Sequence, residues 1–377
     1  MHICFVIYSY GNHSFQPEDL LVKFYSLKGW CDALIDEGCK ISVLIRFHQD
    51  AHLCVNNVDY HFIKDNYGTQ LAFWQIPEKL HQQAKKLDAT VFHGHNMNKV
   101  LQHAHLKKQI GANRPLLIQN HAETPQKWSR IVLQRFLYKN IDAFLFCAKG
   151  QEKIWKNHHL INHRTHLFYV MEGSTDFQYQ DRLLARHSTL MQGSPVFLWV
   201  GNLNKNKDPL TILQAFATIL IGYPTAKLYM AFRFDDLLKE VKQFIKANEL
   251  LNNAVYLLGE LEHNELQNYY NSADYFILGS HSEGSGYSMM EAMACGCIPI
   301  VSDIFSFRMM TDNGEIGFLW EVGNAEDLER AIQKALEINI EEARQKVLAF
   351  FEKQLSYKAI AKQMVSNYQL IQKYKQE

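Results

Sequence analysis

Residues 281–303 read "HSEGSGYSMMEAMACGCIPIVSD" and set Glu283 and Glu291 eight residues apart around a loop that holds Gly284 and Gly286. The apolar run "YFIL" at 275–278 precedes the loop, and "IPIV" at 298–301 follows the next segment. This is the pattern of a buried strand, a turn, a short helix and a second buried strand. Ser285 and Ser288 are residue types that cap helices, and glycine lets backbone come close to a ligand with no Cβ in the way. The first turn of a helix offers N–H groups and a positive dipole end, so phosphate is its natural occupant. Carboxylates touching that phosphate would repel it. Glu283 and Glu291 therefore suit neutral hydroxyl groups, because a carboxylate is an acceptor that binds paired sugar hydroxyls well. A diphosphate on the helix end with a sugar on each side describes a nucleotide sugar. A glycosidase acid and nucleophile pair is the other chemistry that two carboxylates serve. Glu291, about a turn inside the helix and next to the core-like "AMACG", is better placed to bind than to attack.

Outward from this stretch, short apolar runs alternate with amphipathic segments, as in βα units of a parallel sheet. Strands are expected at Ile3–Tyr8, Lys40–Ile45, Ala89–His93, Leu116–Asn120 and Ala143–Cys147, and these form a first doubly wound domain. Residues 173–195, mixed in Gly, Ser, Asp and Gln, read as the crossing between domains. The alternation restarts at Val196–Val200, Lys227–Phe232, Ala254–Leu258, Tyr275–Leu278 and Ile298–Val301. Residues 340–375 contain no Pro or Gly and read as helix. The expected fold class is α/β: two Rossmann-like, doubly wound parallel-sheet domains facing each other across a cleft. Residues 1–180 make the first domain, 181–355 the second, and a terminal helix over 356–377 packs back on the first. Ligands of such sheets bind beyond the carboxyl ends of the strands.

A chain of 377 residues is long for one core, which agrees with two domains. Lys plus Arg balances Asp plus Glu at 39 each, against a global nucleic-acid footprint. The balance is uneven: seven basic residues face only Glu123 between Lys107 and Lys139. That stretch is either a solvated face or an attraction for anionic lipid or an anionic acceptor. Within it "KWSRIVLQRFLYK", 127–139, is either a core-packed helix or an interfacial one that brings a lipid-linked acceptor to the cleft. Seven cysteines, with "MHICFVIYSY" leading straight into a strand rather than a secretory signal, read as reduced thiols of a cytoplasmic protein. Cys295 and Cys297 form only a CxC, one of them facing the core rather than a metal. No apolar run approaches the roughly 18 residues that span a bilayer, so any membrane contact is peripheral, on the inner face.

The opening stretch also resembles the E-x7-E signature of retaining glycosyltransferases of family 4, with Ser285 where an aromatic is usual. The resemblance runs from Ile3 to about Phe351. "FLWVGNLNKNKDPLTILQAF" looks like the strand and phosphate-binding turn of that family's second domain, with Lys207 at its lysine. "VYLLGELEHNELQNYYNSADYFILGS" is similar to the nucleobase-side loop, at Leu258 and Gly259, and the helix before the signature. "GEIGFLWEVGNAEDL", "VFHGH", "LLIQNHAE" and "VMEGSTDF" fall at the expected intervals.

The resemblance implies the GT-B fold, a UDP- or GDP-sugar donor and transfer with retention. Glu283 would lie against the donor sugar and Glu291 would bind the ribose. The amides of Gly286, Tyr287 and Ser288, with Gly284 and Ser285 in the same loop and Lys207 opposite, would hold the leaving diphosphate. His121 matches the family histidine near the reaction centre, while Gly11, His93 and His95 fall on the acceptor side. Lysine and a helix end would stand in for a metal ion, in keeping with the absence of a DxD motif, and no cofactor is implied. Asn202 stands where arginine is usual, and Arg233 is the candidate to replace that charge. The first βα loop keeps only Gly11 of the usual paired glycines. The implied activity is hexosyl transfer to a glycan or lipid-linked acceptor in cell-surface polysaccharide or lipopolysaccharide synthesis. The other reading is a catalytically weak, glycosyltransferase-like accessory subunit. Binding of nucleic acid is expected of neither.

Overall fold

The computed structural model describes residues 1–10, 16–162 and 165–376, without the side chains of residues 128 and 376. The chain divides into two compact units, Met1–Ser174 with Tyr357–Glu377, and Thr175–Ser356.

Unit 1 holds eight strands: β1 His2–Ile7, β2 Lys40–Phe47, β3 Ala51–Val55, β4 Val58–Lys64, β5 Val91–His95, β6 Leu116–Gln119, β7 Ala143–Phe146 and β8 His166–Tyr169. They lie in the order β3-β4-β2-β1-β5-β6-β7-β8, parallel throughout except for the β3–β4 pair. β1, β2 and β6 are apolar runs with nearly every side chain buried, as strands covered on both faces must be. β3 alternates partly buried with exposed residues and caps the edge. It joins β4 through Asn56 and Asn57, at φ 52° and 63°, the left-handed pair that a two-residue hairpin turn requires.

The second series comprises β9 Val196–Val200, β10 Lys227–Ala231, β11 Val255–Gly259, β12 Tyr275–Leu278, β13 Ile298–Ser302 and β14 Phe318–Trp320. Its order is β11-β10-β9-β12-β13-β14, all parallel. Each sheet reverses direction at one place, between β1 and β5 in unit 1 and between β9 and β12 in unit 2. At such a switch point the neighbouring loops diverge and leave a crevice beyond the strand ends.

The helical stretch expected over 340–375 is broken. One helix runs Ile340–Phe350, a π-turn covers Phe351–Leu355, and a second helix runs Tyr357–Gln376. Ser356 is extended at ψ 154°, and its hydroxyl bonds the Glu352 carbonyl at 2.9 Å, so a local side-chain bond ends the first helix without Pro or Gly. The later helix belongs to unit 1. Its Ile360, Ala361, Met364, Tyr368 and Ile371 are buried at helical spacing. At Gly29, on the facing helix Tyr25–Asp36, a Cβ would come within 2.6 Å of the Tyr357 ring, so glycine permits the close packing.

Candidate active site

β9 and β12 flank the switch point of unit 2, and the loops leaving them carry the candidate residues. After β9 the chain turns through Gly201, Asn202 and Asn204 to Lys207, whose amide bonds the Asn204 side chain at 3.0 Å. Asp208, left-handed at φ 42°, then caps the helix Pro209–Gly222 by accepting from Thr211 N–H. After β12 the chain passes Gly279 and reaches Glu283. Asn206 ties the two loops together: its side chain donates to Ser282 O at 3.0 Å and accepts from Ser282 N–H at 3.1 Å, and its carbonyl accepts from His281 N–H at 2.8 Å. This brings Lys207 Nζ to 2.6 Å from Glu283 Oε1, with both side chains about 15% exposed. The reading of the sequence missed Asn206. Its place among turn-forming asparagines was a usable signal for a turn, but nothing local announces a partner 76 residues away.

The helix after the loop, Tyr287–Ala294, is capped by neither Ser285 nor Ser288. Its N-cap is Gly286 in the left-handed conformation, φ 66°. A Cβ there would sit 2.8 Å from Phe307, so this glycine is needed for both its backbone angle and the space beneath it. Ser285 is buried, while Gly284, Tyr287 and Ser288 are partly exposed at the positive end of the helix dipole.

Glu291 is 4% exposed on the same helix. Its Oε2 accepts from Tyr270 OH at 3.0 Å, and its Oε1 lies 2.8 Å from His263 Nε2. The hydrogen bond to Glu291 raises the His263 pKa against the opposing effect of burial. The His263 ring also rests on Phe177, with centroids 4.9 Å apart. Neither Tyr270 nor His263 was singled out from sequence, although both lie in the quoted run before the signature.

The other donor-side candidates are more scattered. Asn202 sits in the turn after β9. Leu258 and Gly259 end β11, where Gly259 O accepts from Phe232 N–H at 2.8 Å. Arg233 follows β10 and pairs with Glu260 at 3.0 Å, both well exposed. Cys295 and Cys297 are buried, and desolvation raises both thiols, so they belong to the core of unit 2. Among the described residues, no group of three or more His, Cys, Asp or Glu is placed to hold a metal ion.

In unit 1 the switch point between β1 and β5 gathers histidines. His95 ends β5, and its Nδ1 lies 2.8 Å from Nε2 of His121, in the loop after β6. His121 Nδ1 contacts the Glu172 carboxylate. Glu123 accepts from the His121 amide at 2.9 Å and from Asn120 Nδ2 at 3.0 Å. Burial would lower the His121 pKa, but Glu172 and Glu123 outweigh it and the net shift is upward. His93 departs from its expected acceptor-side place. It is fully buried, with Nδ1 2.6 Å from Tyr368 OH, and burial lowers its pKa to about 3, so it is a core residue linking β5 to the terminal helix. Gly11 lies outside the described residues.

The basic segment forms the helix Trp128–Leu137. Ile131 and Gln134 face inward, while Val132 and Phe136, 64% and 66% exposed, face outward beside Arg130, Arg135 and Lys139. No helix among the described residues is long and apolar enough to cross a membrane.

Comparison with known proteins bears on unit 2 first. Residues 181–349 match the family described as Glycosyl transferases group 1. The chain is 27% identical over 195 residues to poly(glycerol-phosphate) alpha-glucosyltransferase of Bacillus subtilis (strain 168), covering 51% of this chain and 27% of that protein. Over 119 residues it is 31% identical to GDP-mannose:cellobiosyl-diphosphopolyprenol alpha-mannosyltransferase of Xanthomonas campestris, covering 31% of each. Over 169 residues it is 27% identical to UDP-Gal:alpha-D-GlcNAc-diphosphoundecaprenol alpha-1,3-galactosyltransferase of Escherichia coli, covering 43% of each. The chain thus spans less than half the length of these curated relatives. Among solved structures, sucrose-phosphate synthase from Thermosynechococcus elongatus superposes with a TM-score of 0.72 at 19% identity, over 98% of this chain and 99% of that one. Anabaena HepE in complex with UDP and glucose does so at 0.69 and 14%, over 98% and 100%. These likenesses establish the GT-B fold, and the sequence matches support a glycosyltransferase family.

Proposed function

We propose that this protein is a retaining glycosyltransferase. It moves a sugar from a UDP- or GDP-sugar to a glycan or glycolipid acceptor in cell-surface polysaccharide or lipopolysaccharide synthesis, without cofactor or metal ion. The observation that carries this reading is the meeting of Lys207, Glu283 and the N-terminus of the Tyr287–Ala294 helix at the β9–β12 switch point. A cation and a helix end suit a diphosphate, and the two carboxylates suit the hydroxyls on either side of it. UDP- and GDP-sugars are named among the relatives' donors, and lipid-linked diphosphates among their acceptors.

In this reading Glu283 faces the donor sugar and Glu291 the ribose. Lys207 and the Gly284–Ser288 loop hold the diphosphate, with Asn202 beside it and Arg233 supplying a second charge. Leu258 and Gly259 border the base. The bond from the anomeric carbon to the leaving phosphate breaks as the acceptor oxygen bonds the same face of that carbon, and the acceptor proton passes to the leaving phosphate. No side-chain nucleophile is needed. His121 supports the reaction centre, and His95 serves the acceptor side. The work is cytoplasmic, with the exposed apolar side chains and bases of segment 127–139 resting on the inner face of an anionic membrane. Co-sedimentation with vesicles that ignored their content of anionic lipid would remove this last element.

The deciding test is a thermal-shift screen against UDP, GDP, ADP and their sugar conjugates, followed by turnover measurements with Glu283→Gln alongside. Donor binding with turnover that the variant abolishes supports the transferase. Donor binding with no turnover favours the accessory-subunit reading, and no binding at all removes the nucleotide-sugar site.

A further inference from the structure

The end of β5 and the loop that follows β8 give His121, in the loop after β6, two internal partners. Glu172, after β8 and 9% exposed, meets Nδ1, and His95 meets Nε2 at 2.8 Å. A carboxylate only accepts, so the Glu172 contact requires a proton on Nδ1. His95 stacks on His93 at 5.0 Å and on Phe5 at 5.9 Å, a surrounding that disfavours charge on its own ring. The two ring nitrogens of His121 are therefore spoken for, one by an anion and one by a neutral imidazole.

We propose that Glu172 is the positioning residue of His121, fixing the ring's orientation and its Nδ1 proton so that the ring acts through its charge and not as a base toward the acceptor. This rests on the place given to His121 in the reaction above, and it agrees with a mechanism in which the acceptor proton goes to the leaving phosphate.

The titratable groups that face His121 are Glu172 after β8, Glu123 in its own loop, His95 and His93 on β5, and behind them His103 on the helix Val100–Ile110. Cys147, after β7, interacts with Glu172 and Glu123, and burial holds its thiol neutral. Glu172 and Glu123 are the two carboxyl groups among them; both raise the His121 pKa, Glu172 more than Glu123, while burial raises the pKa of Glu123 itself. An imidazolium that is needed for turnover gives a rate that falls as pH rises through its pKa.

The experiment is a histidine ¹⁵N–¹H titration of the full chain, as wild type, Glu172→Gln and Glu172→Asp. It is paired with the pH profile of hydrolysis of whichever of UDP-glucose and GDP-mannose the wild type consumes. In Glu172→Gln the His121 midpoint should fall by about one pH unit or more, because an opposite charge at contact is worth about 1–3 units. The basic limb of the rate profile should move down with it, and Glu172→Asp should recover part of both shifts. An unchanged His121 midpoint in Glu172→Gln would overturn the proposal, even if activity fell equally at every pH, because that is the mark of a purely structural carboxylate. A midpoint that moved while the rate profile stayed in place would show that Glu172 sets the protonation of His121 but would overturn the proposal that this charge serves the reaction.

Discussion

Lys207 and Glu283, 76 residues apart in the chain, lie 2.6 Å apart in the structure and neutralise each other where a donor's diphosphate and sugar are proposed to bind. A bound diphosphate would draw on Lys207, while Glu283 turns to sugar hydroxyls. The two residues should therefore fail differently. Lys207→Ala is expected to weaken donor binding about 10- to 100-fold, the worth of a hydrogen bond to a charged group. Glu283→Gln should leave the dissociation constant within a few-fold and lower turnover about 100- to 1,000-fold. Calorimetric titration beside steady-state rates separates the two, and equal losses in binding from both variants would contradict the division of roles.

Gly286→Ala places a methyl group 2.8 Å from Phe307 and forces an alanine to φ 66°. The expected cost is about 1–3 kcal/mol of stability, with donor affinity falling as the helix end shifts. Phe307→Ala added to Gly286→Ala removes the clash but not the backbone strain. The pair should recover part of the loss, and a denaturant midpoint for each variant measures it.

His263 sits on Glu291, where the ribose is expected. Its pKa is raised, so the charged ring that holds Glu291 prevails at low pH and is lost as pH rises through that pKa. Donor affinity should therefore increase with pH across this range. In His263→Ala the dependence should flatten, with the greatest gain in affinity at the acid end. Titrations of UDP or GDP between pH 5.5 and 8.5 provide the check.

Acid should open unit 1 first. His81 and His93 have pKa values lowered to about 3 and His103 to about 4, each chiefly by burial. The unfolded chain binds protons on these rings from about pH 6.5 downward, while the folded chain does not. Stability is then lost as pH falls from 6.5 toward 4, by on the order of 2 kcal/mol per histidine at pH 5. All three lie in unit 1. A tryptophan reporter confined to unit 2, Trp199 and Trp320 with the other four replaced by Phe, should report unfolding at lower pH than histidine resonances of unit 1 do. Simultaneous loss at one pH would show that the units unfold as one.

The sheets were legible because burial on both faces demands continuous apolar runs, and "FLWV" and "YFIL" can be little else. The expected strands each appear, Val196–Val200 and Tyr275–Leu278 with the expected bounds and the others with one or both ends moved by one or two residues. Four others were passed over. β8 and β14 are only four and three residues long. β3 and β4 carried a readable sign, an Asn-Asn pair between alternating runs, that went unused. In the candidate site, the quoted loop pointed to Glu283 and Glu291 because their neighbours are local, while Lys207, 76 residues from its partner Glu283, was found only through the family resemblance. Asn206, Glu172 and His263 escaped because their meaning comes from partners far along the chain. His93 looked like His95 on paper, since two positions along a strand give both the same face, and only depth in the sheet separates a core ring from a partly exposed one.

Unit 1 is built from two pieces of chain, with the whole of unit 2 between them. During synthesis, therefore, the helix Tyr25–Asp36 and the His93 ring must wait for Tyr357–Gln376 to emerge, because the partner of His93 lies 275 residues downstream. Unit 2 can mature on the ribosome while one wall of unit 1 is still bare, and the nascent chain is most open to chaperones and proteases on that wall.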